Sequence, residues 1–411
     1  MHNPMFMLSP TNIPEVIRKA CDLPTMDHRS AAFAEILHPV LEGVARILKT
    51  EEGEVIVFPA SGTGGWEAAL ANTLSKGDRV LAGRNGMFSH RWIDMCQRFG
   101  LDVTVLDHRW GEGLDAARYE EALRADTGRT IKAVLATHNE TATGVVSDIA
   151  ALRAALDAAG HPALLMVDGV SSIASMDFRM DDWGVDLAVT GSQKGFMLPP
   201  GLAIVGVSPK ARRAAEAADL PRTFFDFDDM RTGYANSAYP YTPAAGLLNG
   251  LRVACEMLEA EGLDAVFARH RRIADGVRAA VAAWGLELCA RTPDVQSDTV
   301  SAIRVPAGAD ANALVARAAQ TYNVAFGTGL GELAGKVFRI GHLGMLTDVQ
   351  ALAGIAAAEM VMADLGMGVT AGSGVAAAQA RYRASVAGGA MDLAAEGTDE
   401  GQPGARRATA R

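Results

Sequence analysis

Between residues 54 and 207, short and nearly continuous apolar runs alternate with longer amphipathic stretches. The runs are EVIVF (54–58), RVLA (79–82), DVTVL (102–106), IKAVLA (131–136), ALLMV (163–167), DLAVT (186–190) and LAIVGV (202–207). Runs without polar alternation suit strands covered on both faces, and helical periodicity fills most gaps, as over 148–159. The pattern predicts an α/β fold with a mostly parallel seven-stranded sheet. The link from 190 to 202 is too short for a crossover helix and predicts a hairpin-like return with one antiparallel strand. Upstream, Phe33, Ile36, Leu37, Val40, Leu41, Val44, Ile47 and Leu48 fall at helical spacing, so 30–49 is expected to be helical. Ser30 is its candidate N-cap, and Pro39 is expected to kink or split it.

The pattern changes after about residue 250. Helical periodicity over 243–260 and 262–283 leads to LELC, TVSAIRV and KVFRIG, then to a helix near 347–365. This is α+β material and predicts a smaller second domain. The expected organisation is an N-terminal arm and entry segment (1–29), a large domain (30–255), a small C-terminal domain (256–368) and a mobile Ala/Gly/Arg-rich tail (369–411).

The 411 residues, 49% of them hydrophobic and 21% charged, can bury a generous core. A net charge of -10 without a long basic run argues against nucleic acid and membrane surfaces as main partners. Cys21, Cys96, Cys255 and Cys289 are widely scattered and predict free thiols in a reducing compartment. The opening MHNPMFMLSPTNIPE does not read as a secretory signal, and no apolar run reaches the roughly 20 residues of a membrane span. A cytoplasmic protein is expected.

In parallel sheets, ligands bind at the carboxyl ends of strands. After EVIVFPA, the small residues Ser61, Gly62, Thr63 and Gly64 open a helix, where bared N–H groups favour a phosphate; the plain alternative is a tight turn. After ALLMV stands Asp168, which alone could be a helix cap or a metal ligand, although no second ligand sits beside it and no metal is expected. After DLAVT stands Gly191-Ser192-Gln193-Lys194. A desolvated lysine there would be a nucleophile toward aldehydes, whereas a surface lysine would merely be solvated. A phosphate nest, an acid and a lysine after three strands of one sheet are together what pyridoxal 5′-phosphate requires: an anchor, a carboxylate for the ring nitrogen and an amine for the aldehyde.

The motifs PTMDHRS, PASGTGGWE, HNETATGV, LLMVDGVSS, GSQKGFMLPPG, YPYTP and GKVFRIGHLG resemble the class V, fold-type-I pyridoxal-phosphate aminotransferases, in particular the glyoxylate aminotransferases, from residue 9 to about 365. The resemblance implies transfer of an amino group from an L-amino acid to glyoxylate, giving glycine. L-aspartate, giving oxaloacetate, is the preferred donor, and serine or alanine are the alternatives. It implies Lys194 as covalent tether and proton shuttle, and Asp168 on the ring nitrogen. Ser61, Gly62, Thr63 and Gln193 would hold the phosphate, Phe88 would stack on the ring and Thr141 would meet the ring hydroxyl region. Arg339 would clamp the α-carboxylate, with His28 and Arg29 near the mouth for a donor side chain. Tyr239 and Thr242 would reach the phosphate of a partner subunit, since the family's sites are shared across a homodimer; a tetramer is left open. Ser9 stands where the family usually has glycine. A desulfurase would need a thiol on a mobile active-site loop, which none of the four cysteines supplies. A non-catalytic module on this fold would be expected to lack Lys194 or Asp168.

Overall fold

The computed structural model describes residues 5–6, 11–24 and 26–396. Its centre is a seven-stranded sheet: β1 (Glu54–Ala60), β2 (Arg79–Arg84), β3 (Asp102–Asp107), β4 (Ile131–Thr137), β5 (Leu164–Asp168), β6 (Leu187–Gly191) and β7 (Gly201–Val207). The strand order is β1-β7-β6-β5-β4-β2-β3. β7 alone runs antiparallel to its neighbours, so the short link at 190–202 makes the expected return. Strands β5 and β6 are buried along their whole length, as their unbroken apolar sequences require.

The helix expected over 30–49 spans Ala31–Leu48 as one element, with Pro39 inside it, so it is not split. Ser30 occupies the N-cap, but its hydroxyl donates to the Asp27 carbonyl instead of accepting from the helix. One hydrophobic cluster joins this helix, the sheet and the helix Ala245–Glu261. A second gathers around Ile273, Trp284, Phe326, Phe338 and Ile355, where Val300–Arg304, Ala325–Thr328 and Val337–Gly341 form a smaller sheet with Met5–Phe6. The strand Ala325–Thr328 was not anticipated, and LELC contributes only an isolated bridge between Leu288 and Ile303.

The expectation of a mobile tail from 369 is corrected. Ser373–Glu396 is a helix. Ala378 and Tyr382 are buried, and the Tyr382 hydroxyl donates to the Ile273 carbonyl at 3.2 Å. A Cβ built on Gly276 would lie 2.2 Å from the Tyr382 ring, so the ring fills a notch that only glycine leaves open. The buried Glu359 carboxylate accepts from Trp284 Nε1 at 2.9 Å and from the Gly372 N–H at 3.0 Å, fastening the start of this segment. The course of the arm at Ser9 and the residues after 396 lie outside the described residues. The four cysteines are unpaired. No described helix is long and apolar enough to cross a membrane. Removal of a buried aromatic ring typically costs about 3–5 kcal/mol, so Tyr382→Ala is expected to lose about 3 kcal/mol in urea unfolding. An unchanged midpoint would show that this helix does not dock.

Candidate active site

The carboxyl ends of β1, β4, β5 and β6 lie along one edge of the sheet, because β1, although paired with the antiparallel β7, runs in the same direction as the others. Asp168 ends β5, opposite Thr137 of β4 and Val189 of β6. Gln193 and Lys194 follow β6 at once. Ser61 follows β1 and caps the helix Gly62–Thr73. The Ser61 side chain makes no capping bond, which leaves its hydroxyl and the N–H groups of the first turn facing outward from the helix start. A Cβ at Gly62 would lie 2.7 Å from Val170, so glycine lets this turn approach the segment that follows Asp168.

Asp168 is buried, and one carboxylate oxygen accepts from the Val170 N–H at 2.9 Å. Burial pushes its carboxyl up to about 7; the Val170 N–H and the Lys194 charge pull it down, while Glu140 pushes it up. Lys194 is also buried, and its ammonium forms no hydrogen bond or ion pair with a described residue. Burial lowers it to about 8, with the Arg339 charge acting in the same direction and Asp168 against. The two groups therefore share one electrostatic site on the same sheet edge. This is the juxtaposition expected from their strand positions.

Arg339 arrives from the smaller sheet and is 8% exposed. Its Nε donates to the Thr328 carbonyl and its Nη1 to the Thr141 carbonyl, each at 2.9 Å. No carboxylate pairs with it among the described residues, and burial lowers it to about 10. A guanidinium fixed by two backbone carbonyls and otherwise unneutralised is set to receive an anionic group.

A ring of buried polar groups holds this arrangement, and the sequence reading missed most of it. Thr141 Oγ1 lies 2.7 Å from Ser171 Oγ, which donates to the Asn139 carbonyl at 2.9 Å. Asn139 Nδ2 donates to Thr299 Oγ1 at 2.8 Å, and Thr299 precedes the strand whose Ala302 faces Arg339. The loop after Asp168 is thus joined to the strand bearing Arg339. Glu140 is fully buried; its carboxylate accepts from the N–H groups of Phe88, Ser89 and Ala142 and from the Ser89 hydroxyl. It thereby fixes the start of the helix Met87–Arg98, and with it the half-buried Phe88. The only sequence signal for Glu140 was a carboxylate within the quoted HNETATG.

The remaining candidates are not all drawn in. Tyr239, expected to reach a partner's phosphate, packs inside its own subunit. Its ring is buried and its single hydroxyl proton is committed to the Val57 carbonyl at 2.8 Å. Thr242 is exposed. His28 and Arg29 lie in the turn before Ala31–Leu48, where the Arg29 backbone N–H donates to Asp27 Oδ1 at 2.9 Å. Neither side chain forms a hydrogen bond or ion pair with a described residue, so the structure does not tie them to the Lys194 cluster.

A buried lysine, a buried acid and a buried arginine at the edge of such a sheet fit a pyridoxal-phosphate enzyme of fold type I. The model of the class V aminotransferases matches residues 19–336, and the chain belongs to that family. It is 70% identical to an L-aspartate–glyoxylate aminotransferase of Paracoccus denitrificans, over 94% of this chain and 97% of the relative. A serine–glyoxylate aminotransferase of Hyphomicrobium methylovorum is 54% identical over 91% of this chain and 93% of that protein. Among solved structures, pyridoxamine–pyruvate aminotransferase of Mesorhizobium loti superposes with a TM-score of 0.87 at 29% identity, covering 93% of this chain and 97% of that one. The family's cofactor is pyridoxal 5′-phosphate, and the residues present fit it. Besides Lys194 and Asp168, the buried Oε1 of Gln193 has no partner, and it sits beside the first turn of Gly62–Thr73: a Cβ on Gly191 would lie 3.0 Å from it and 3.3 Å from the Gly62 nitrogen.

The sign of the Lys194 shift gives a test on the cofactor-free protein. With a folded value of about 8 against 10.5 when unfolded, the buried ammonium destabilises the fold below about pH 8, and the penalty fades as pH rises toward 10.5. Lys194→Met is therefore expected to stabilise the cofactor-free chain by about 3 kcal/mol at pH 7, a gain that shrinks above pH 8. A gain independent of pH in thermal or urea unfolding would show that the amine is not desolvated.

Proposed function

We propose that this chain is an L-aspartate–glyoxylate aminotransferase, forming oxaloacetate and glycine. The observation that carries the amino-acid chemistry is the convergence of Lys194, Asp168 and the unneutralised Arg339 on one sheet edge. The choice of donor is supported by the 70% identity to the Paracoccus enzyme. Serine is the second reading, supported by the 54% identical relative.

Pyridoxal phosphate supplies an electron sink for the substrate's α-carbon. Ser61, Gly62, Thr63 and Gln193 hold its phosphate, Phe88 its face, Thr141 its ring hydroxyl region, Asp168 its ring nitrogen and Lys194 its aldehyde carbon. Arg339 binds the α-carboxylate through the guanidinium edge not used on Thr328 and Thr141. That contact orients the amino acid by a planar, two-point grip. Lys194, lowered to about 8, is neutral in about a tenth of the molecules at pH 7, far more than an exposed lysine, and in that form takes a proton from the substrate's α-carbon. Asp168 keeps a negative charge at the ring end once a cation faces it, since an opposite charge lowers a carboxyl that burial, with Glu140 nearby, has raised to about 7. The buried walls formed by Glu140, Thr141 and Asn139 exclude water from this edge.

Selection of aspartate calls for a second cationic or hydrogen-bonding group. Arg29 and His28, whose side chains pair with no described residue, are the proposed candidates, and Thr242, exposed on the surface, is the proposed contact to a partner's phosphate in a homodimer. The unpaired cysteines support a reducing, cytoplasmic location.

Glycine formation from glyoxylate with L-aspartate, L-serine and L-alanine as donors tests the reading. Aspartate is expected to show the highest kcat/KM, and a higher value for serine would replace the first reading with the second. Lys194→Ala is expected to abolish turnover while Arg339→Ala raises the donor KM by about 10²-fold, the loss of a charge-assisted pair. Normal turnover in the first variant, or an unchanged KM in the second, would refute the assigned role.

A further inference from the structure

A cavity of about 780 Å³ lies between the loop after β3 and the segments flanking the smaller sheet, and it shares no lining residue with the Lys194 cluster. Four arginines, Arg109, Arg278, Arg291 and Arg304, line it, and Glu287 is the one carboxylate among its lining residues. Two of the four are neutralised to differing degrees. Arg278 pairs with Asp275 at 2.9 Å and Asp298 at 2.7 Å, while Arg291 stands 3.8 Å from Glu112. The other two are not. Arg304 is half-buried, and among the described residues its guanidinium meets only the Cys289 sulfur, at 3.5 Å. Arg109 forms no hydrogen bond or ion pair through its side chain with a described residue. Guanidinium forks from two separate segments thus face one cavity of small-molecule size without an internal counterion.

We propose that this groove binds a small multivalent anion, carrying two or more carboxylate or phosphate groups, that bridges Arg109 to Arg304. Surface arginines are usually solvated, and what sets these two apart is the enclosure they share and the junction they span. The Arg291 N–H donates to the Gly111 carbonyl at 3.0 Å, so the loop carrying Arg109 is already stitched to the far wall. Trp110, next to Arg109, packs on the buried cluster of Cys289, Ala302, Leu333 and Val337. Val337 begins the strand in which Arg339 stands two residues on, and Ala302 faces Arg339 across the sheet. An anion that draws the Arg109 loop onto this wall braces the strand that presents the carboxylate clamp, and so strengthens amino-acid binding. This coupling rests on the role proposed for Arg339; the binding site itself does not.

The test is titration calorimetry of the holoenzyme at low ionic strength, with inorganic pyrophosphate and citrate as separate probes, so that the two chemistries are distinguished. At least one probe is expected to bind with a Kd below about 1 mM, weakening as salt rises. Arg109→Ala, in an exposed loop, is expected to weaken binding about tenfold, as loss of one charge-assisted contact does, and to leave activity without the anion unchanged. Arg304→Gln should do the same, and Arg339→Ala should leave anion binding intact. Absence of binding by both probes at 10-fold higher concentration, equal binding by Arg109→Ala, or loss of binding in Arg339→Ala would overturn the site. A saturating probe should lower the donor KM of the unmodified enzyme and not that of Arg109→Ala. An unchanged KM with binding intact would remove the coupling alone, and an unchanged KM in Arg339→Ala would instead remove the proposed clamp.

Discussion

The structure depends on keeping charge out of water at the edge of an apolar sheet. Lys194, Asp168 and Arg339 are each at most 8% exposed, and no two of them form an ion pair. Burying an unpaired charge is unfavourable, and the shifts toward the neutral forms express that cost for all three. A chain selected for stability alone would pair these groups or replace them. Three such groups kept buried and unpaired with one another are what a functional site retains at the expense of stability. The remaining fold serves to hold them open to one shared edge.

Holding them open requires a rigid frame, since an ammonium free to move would swing out to water. The sheet supplies one part. β5 and β6 are buried throughout and pinned by parallel pairing, so the chain leaves them at fixed points. The buried polar ring through Thr141, Ser171, Asn139 and Thr299 supplies the other, binding the loop after Asp168 to the strand of Arg339. Its residues come from segments as distant in sequence as 139, 171 and 299, and within it the buried Asn139 Oδ1 has no partner among the described residues. Movement of the smaller sheet relative to the larger one therefore passes through hydrogen bonds that also position the clamp.

The same physics explains what could be read from the sequence. The seven strands were legible to within two residues because buried parallel strands are continuously apolar. What the apolar runs left out at their carboxyl ends, such as Arg84, Asp107, Thr137, Asp168 and Gly191, is where the chain emerges from the core and the chemistry begins. Lys194 and Asp168 were legible from their positions just past those ends. Ala325–Thr328 was not, since a four-residue strand with only two buried positions carries no pattern. The helix Ser373–Glu396 was missed for a related reason: its Ala- and Gly-rich sequence has no apolar stripe, and it docks along Leu263–Ala283 through close backbone approach, with the Tyr382 ring in the notch at Gly276. The inward turn of the Tyr239 hydroxyl to Val57 was not legible either, because a motif specifies a residue type and not a side-chain direction. The polar ring was invisible because hydrogen-bond partners far apart in sequence leave no local trace.

A backbone that superposes on pyridoxamine–pyruvate aminotransferase with a TM-score of 0.87 at 29% identity shows how little of the selectivity resides in the fold. The sheet edge fixes the lysine, the acid and the phosphate turn, which serve any amino donor. Arg339, in the role proposed for it, would read the α-carboxylate that all such donors share. Discrimination between aspartate and serine must come from groups outside this frame, because a second carboxylate needs a cation where a hydroxyl needs only a hydrogen-bond partner. Arg29, the candidate proposed above, lies outside it: an exposed cation in a turn, held through its backbone to Asp27, its side chain pairing with no described residue. A specificity element carried on such a turn can change without disturbing the buried charges, whereas a change among those charges would alter the chemistry for every donor at once.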